Sequence, residues 1–205
     1  MMTNPAIALI ERRVSANRFD ADHALTDAEI EDLTRLATRA PTAYNLQNWR
    51  FVAVRTPEAK ARLRSLAHGQ AKVSDAAVTF IVCGLLPDHT AIPERLRPFV
   101  QARYMPASTV ASWQEGARAQ YADPGMARDE AVRSASLGAA TLIHAAEALS
   151  LASGPMVGFD ATGVAREFGL GPDEVPVMLV AVGRAAPGNW PQKPRRPLTE
   201  VLEIA

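Results

Sequence analysis

The chain has 205 residues, 48% of them apolar and 21% charged, ordinary for a globular protein that buries roughly 70% of its unfolded surface. Lys plus Arg and Asp plus Glu number 22 each, which removes the electrostatic argument for a nucleic-acid partner. Cys83 is the one cysteine, so an intrachain disulfide is excluded and a reducing compartment is expected.

Met1 to Arg13 is a short mixed segment without an apolar h-region or cleavage signal. The longest apolar run, Ala76 to Pro87, is too short to span a bilayer. A cytoplasmic protein with no membrane partner is expected.

The best-marked helix starts near Thr26, where Thr26 and Glu29 form a capping box and Leu25 and Ile30 a hydrophobic staple. Ile30, Leu33, Ala37 and Ala40 form its apolar stripe, and Pro41 ends it. Trp49 to Arg55 is a strand, rich in aromatic and β-branched residues. Thr56-Pro57-Glu58 caps a second helix running to about Ala67. Ala77 to Leu85 and Val177 to Val182 are apolar without alternation, and so read as strands buried on both faces.

Pro87 to Asp129 carries five prolines among helix formers and reads as one or two helices with loops. Arg128 to Leu151 is a long helix, apolar nearly all round through Val132, Ala135, Ala139, Leu142, Ile143, Ala146 and Leu149. Such a helix is buried on most sides, and a dimer interface is a natural place for it. Asp160 caps a short helix ending at Gly169. The tail from Ala185, with four prolines, is too irregular to pack by itself and is expected to lie across another surface. One domain over 1–205 is expected.

The chain contains no GxGxxG, GxxxxGK[ST] or GxSxG sequence. Cys83, inside a buried strand, reads as a core residue. His144 with Glu147 is one Glu/His pair, and a di-metal site needs two. If the chain carries out chemistry, a cofactor has to supply it.

Three groups suit a cofactor. Arg13 to Phe19 and Lys193 to Val201 offer cations and hydroxyls, which suit a phosphate through charge-assisted hydrogen bonds of about 1.5–3 kcal/mol each. Asn45, Gln47 and Asn48 place three amides in four residues after a helix stop, able to match a ring edge of alternating N–H and C=O groups. Each group also has a plain reading, as solvated cations or turn residues. Spacing alone leaves flavin binding as one reading among several.

The chain resembles the FMN-dependent nitroreductase family over nearly its whole length. The matching segments run in the family's order: Arg13-x-Ser15 before Phe19; Ala40-Pro41-Thr42-Ala43-Tyr44-Asn45-Leu46-Gln47-Asn48-Trp49-Arg50-Phe51; Lys72 with Asp75; Gly154-Pro155-Met156-Val157-Gly158-Phe159-Asp160; Val182-Gly183; and Lys193-Pro194-Arg195-Arg196-Pro197-Leu198. It departs from the common pattern at Val14, often a second arginine, at Asn17, often basic, and at Val157, often glutamate.

The resemblance implies an α+β fold with a mixed sheet flanked by helices, and an intertwined homodimer whose C-terminal tail crosses to the partner. It implies two FMN molecules at the subunit interface. By position, Arg13, Ser15, Lys193 and Arg195 are expected to hold the ribityl phosphate, and Lys72 to sit near flavin N1–C2=O. Thr42, Ala43 and Asn45 are expected to reach the flavin held mainly by the other subunit, and Pro155, Met156, Val157 and Gly158 to line the ring near N5. Asn17 and Gln47 complete the expected cofactor-binding set. The implied activity is ping-pong hydride transfer from NAD(P)H to a small-molecule acceptor such as a nitroaromatic or quinone, with no catalytic side chain and no metal. The stretch Phe99 to Tyr121, with Tyr104 and Trp113, reads either as the pocket wall or, for its aromatics, as core. The alternatives are other chemistry on the same fold, such as enal or semialdehyde reduction or dehalogenation, and a non-catalytic flavin-binding dimer.

Overall fold

The computed structural model describes residues 4–205. In chain order the elements are α1 (Pro5–Arg12), α2 (Asp27–Ala37), β1 (Trp49–Val54), α3 (Pro57–Leu66), α4 (Ala71–Asp75), β2 (Val78–Leu85), α5 (Ile92–Gln101), α6 (Ala107–Gln120), α7 (Pro124–Ala148), β3 (Ala152–Met156), α8 (Ala161–Glu167) and β4 (Glu174–Gly183).

Local sequence sets many of these boundaries. Glu29 N–H donates to Thr26 Oγ1 at 3.3 Å and Thr26 N–H donates to Glu29 Oε2 at 2.8 Å, which completes the capping box of α2. Thr56 caps α3 with Pro57 in its first turn. The start of the described chain folds as α1, because Asn4 Oδ1 accepts from Ala6 N–H and Pro5 opens the first turn. Residues 87–129 resolve into α5, α6 and the beginning of α7. The last starts earlier than the apolar pattern does, because Asp123 caps it ahead of Pro124.

The four strands form one sheet in the order β1-β2-β4-β3, and every pairing is antiparallel. The parallel component of the expected mixed sheet is confined, within one chain, to an isolated bridge between Ser15 and Ser153. The β2–β4 register shifts between Val82 and Cys83, where Cys83 faces Pro176. A proline, which has no N–H for the ladder, is tolerated at such a bulge.

Side chains alternate across the sheet. Val78, Phe80, Val82, Val180 and Val182 point to one face, against Leu33 and Ala37 of α2 and Leu142 of α7. Ile81, Cys83, Leu179 and Ala181 point to the other, against Leu63 of α3, Val73 of α4 and Val164 of α8. Both faces are covered, which is why β2 and β4 read as unbroken apolar runs. A third cluster joins Leu46 to Ile92 and Leu96 of α5 and Val110 and Ala117 of α6.

Helix α7 buries one face in its own chain and leaves the opposite face exposed. Ala127, Ala131, Ser134, Ala135, Gly138 and Ala139 are buried, and their small side chains let the helix lie almost on the sheet. A Cβ at Gly84 of β2 would sit 2.1 Å from the Ala131 carbonyl oxygen. Leu137 and Leu149 stay exposed.

Candidate functional site

The segment after α1 is threaded between β3 and the start of the tail. Ala16 N–H donates to the Ser153 carbonyl at 2.9 Å, and Asp20 N–H donates to that of Arg184 at 2.9 Å. Phe19 bridges Ala185. Buried Ala16 and Phe19 anchor the segment in the core, so the polar side chains beside them are fixed in direction. A Cβ at Gly154 would come 2.4 Å from the Ala16 carbonyl oxygen, so only glycine permits this approach.

Asn189 closes the arrangement. Its Oδ1 accepts from Asn17 N–H at 2.7 Å and Arg18 N–H at 3.0 Å. Its Nδ2 donates to the carbonyls of Arg18 at 2.8 Å and Ala186 at 3.0 Å. The tail is then held further by Gln192 Nε2, which donates to the Arg13 carbonyl at 3.3 Å.

Around this clasp stand the cations. Arg13 Nη1 donates to Ser15 Oγ at 3.3 Å. Lys72 Nζ, brought in by α4, donates to Asn17 Oδ1 at 3.4 Å. Lys193 lines a polar cavity of about 280 Å³ with Asn17, Arg18, Gly188, Asn189 and Trp190, and its Nζ lies 5.7 Å from the Trp190 ring centre. Burial holds the Lys72 ammonium below the usual lysine value, and nearby Lys193 pushes the same way. Among the described residues, no carboxylate pairs with Arg13, Arg18, Lys72 or Lys193. Lys72 and Lys193 repel each other, and a bound anion would offset that repulsion. Arg12 is separate, paired with Glu147 of α7 at 2.7 Å. Arg195 is not joined to Arg13 or Ser15: its guanidinium donates only to the Lys193 carbonyl, in the exposed tail.

The structure does not gather the amide-rich loop with these cations. Thr42, Ala43, Asn45 and Gln47 lie by α5 and α6. Gln47 N–H donates to Thr42 Oγ1 at 2.9 Å, and Gln47 Nε2 to Asn45 Oδ1 at 3.3 Å. Arg95 of α5 donates to the Leu46 carbonyl. Tyr44, Asn45 and Gln47 all have positive φ, at 51°, 53° and 45°. Three such non-glycine residues in four store strain, and the surroundings have to hold it. Tyr44 is the main anchor, edge-on to Trp113 and Tyr121 and donating to Gln120 Oε1 at 2.9 Å. Trp113 is therefore packed against this loop, whereas Tyr104 stays 75% exposed.

Pro155 and Met156 end edge strand β3, and Val157 and Gly158 follow it into the open. Gln70 Nε2, just before Lys72, donates to the Gly158 carbonyl at 2.9 Å. This ties the 155–158 turn to α4. A larger cavity of about 510 Å³ lies against α3, but Lys60 and Arg64 there are already bound to the carbonyls of Ala76 and Gly69. Sequence reasoning missed Asn189, Gln70 and Trp190. Gly188-Asn189, a turn dipeptide inside a proline-rich tail, is the only signal that could have pointed to the first.

Fold and site together define an α+β protein in which the segment after α1 and the tail meet at a polar, cationic cavity beside an edge strand. The family model described as the nitroreductase family matches residues 10–184. A Burkholderia lata protein named as an NADH dehydrogenase/NAD(P)H nitroreductase is 36% identical over 209 residues, covering 100% of both chains. A Bacillus subtilis structure described as the nitroreductase ydfN superposes with TM-score 0.90 at 26% identity, covering 97% of this chain and 98% of that one. An Exiguobacterium sibiricum structure, described as a nitroreductase in complex with FMN, shares the fold with TM-score 0.89 at 23% identity, covering 100% of this chain and 99% of that one. The chain belongs to the nitroreductase family.

Proposed function

We propose that the chain is an NAD(P)H-dependent FMN oxidoreductase, working as a homodimer, that reduces nitroaromatic or quinone-like acceptors. The observation that carries the reading is that Asn17 receives Lys72 and shares a polar cavity with Lys193, two residues past Ser15 and its partner Arg13, with no carboxylate paired to these cations. That donor set fits a phosphate monoester.

Arg13, Ser15 and Lys193 hold the phosphate by charge-assisted bonds, and Arg195 joins them once the tail is seated. Lys72, part-buried and linked to Asn17, places a positive charge where the reduced ring gains negative charge. Pro155, Met156, Val157 and Gly158 present backbone groups to the ring, with Gln70 fixing the last of them. Thr42, Ala43, Asn45 and Gln47 lie away from this cradle within the chain, so they serve the equivalent site of a second copy. Tyr104 and Trp113 wall the acceptor side of that site. Bound FMN would supply the redox chemistry, hydride transfer between NAD(P)H and the acceptor in a ping-pong cycle. The protein's share is binding, orientation and charge.

The test is anaerobic titration of the FMN-loaded protein with NADH and with NADPH. Bleaching of the yellow absorbance, and its return on adding a nitroaromatic or quinone, is expected. A colourless protein that takes up no FMN, or a yellow one that neither nucleotide bleaches, sinks the proposal.

A further inference from the structure

We propose that Asn189 is a positioning residue that builds the phosphate cradle and so sets the preference for a phosphorylated flavin. The inference rests on the cradle holding the FMN phosphate. An asparagine amide offers one double acceptor and two donors, and here each is used. Oδ1 takes the consecutive N–H groups of Asn17 and Arg18, 172 and 171 residues away in sequence. Nδ2 gives to the Arg18 and Ala186 carbonyls.

Two consequences follow from the chemistry. Adjacent backbone N–H groups aimed at one point form an anion-binding concavity. The Asn189 amide fills that point, so the Asn17 and Arg18 N–H groups are not free for a ligand and the phosphate is left to side chains. The same four bonds fix the backbone of Asn17, whose side chain receives Lys72, and set the point from which the tail runs on to Lys193. One amide thus relates Lys72 on α4, the 13–18 segment and Lys193. The residue before it is suited to the turn. Gly188 has φ of 88°, a backbone conformation that favours glycine, and a Cβ there would crowd only the end of the Arg18 side chain, at 3.0 Å from Nη1.

A residue that arranges the phosphate contacts alters discrimination between FMN and riboflavin, which share the ring and differ in the phosphate. A merely structural residue weakens both equally. The experiment measures the affinity of wild type, Asn189→Ala and Asn189→Ser for FMN and for riboflavin, by flavin fluorescence quenching. Wild type is expected to prefer FMN strongly. In Asn189→Ala the preference should fall about tenfold or more, as expected when one or two charge-assisted contacts are misaligned, while riboflavin affinity changes less than about threefold. Asn189→Ser, whose hydroxyl keeps one acceptor in the turn, should fall between, and it decides the matter if the alanine variant does not fold. A wild type that discriminates, with variants that discriminate equally well, overturns the role of Asn189 alone. A wild type that binds FMN and riboflavin equally overturns the phosphate reading itself.

Discussion

Gly154 lies against the carbonyl of Ala16 so closely that a methyl group on it would stand 2.4 Å from the oxygen. This contact lets the N-terminal segment run beside β3, with Ala16 N–H bonded to Ser153, and it sets where Arg13, Ser15 and Asn17 point. Gly154→Ala should therefore push the segment off the strand. Overpacking of this kind costs about 1–3 kcal/mol, readable by urea denaturation, and FMN affinity should fall with it. Unchanged stability and affinity would mean the segment is not held by this approach.

Lys193→Ala should weaken FMN binding about ten- to a hundredfold, the usual scale of one lost charge-assisted bond. Arg195, bonded only to the Lys193 carbonyl in the described chain, should matter less singly. The double variant should lose FMN during gel filtration. Retention by the double variant would remove the tail from the phosphate site.

Lys72 gives a pH signature. Burial and Lys193 hold its pKa below the usual 10.5, so between the lowered value and 10.5 the unfolded chain carries the extra proton. Stability of the FMN-free protein should therefore rise with pH across that window. A phosphate bound at Lys193 offsets the repulsion that Lys193 exerts on Lys72, so FMN binding should take up a proton there and weaken as pH rises. Calorimetry in buffers of different ionisation enthalpy measures this uptake, and zero uptake would contradict it.

Tyr44 braces a loop with three left-handed residues against Trp113 and Tyr121. Tyr44→Ala should loosen Asn45 and Gln47 and raise KM for the acceptor. Tyr44→Phe keeps the ring and loses one part-exposed hydrogen bond, worth about 0.5–1.5 kcal/mol, and should remain close to wild type. Equal effects from both would place the hydroxyl, not the packing, in charge.

Thr26→Ala is the stability control. It removes one half of the α2 capping box, at a cost of about 1 kcal/mol, with no change in flavin affinity. An altered affinity would mean that α2 communicates with the site.

Much of this was legible because its physics is local. The Thr26–Glu29 box, the Thr56-Pro57 cap and the unbroken runs of β2 and β4 lie within a few residues of themselves. Edge strand β3 was not read as a strand, since Gly154 and Pro155 both argue against one. It is tolerated because Pro155 lies on an edge strand, with fewer ladder positions to fill. The nearly all-round apolar pattern of the long helix does not say which face the chain's own sheet covers; Gly84 and the helix's alanine face decide that. Of the residues named from the sequence, Asn17, Lys72 and Lys193 lie beside one another, and Arg13 bonds Ser15 at the start of the same segment. Asn189 was invisible because every bond that defines it is to backbone, and three of the four reach the other end of the chain. No periodicity or side-chain pattern encodes that.

The most direct measurement is a crystal structure of the protein grown with FMN. The phosphate should lie within hydrogen-bond reach of Arg13, Ser15 and Lys193, with Thr42–Gln47 of the second copy approaching the ring. A phosphate bound elsewhere, with Arg13 and Lys193 facing solvent, would contradict the cradle built by the two chain ends.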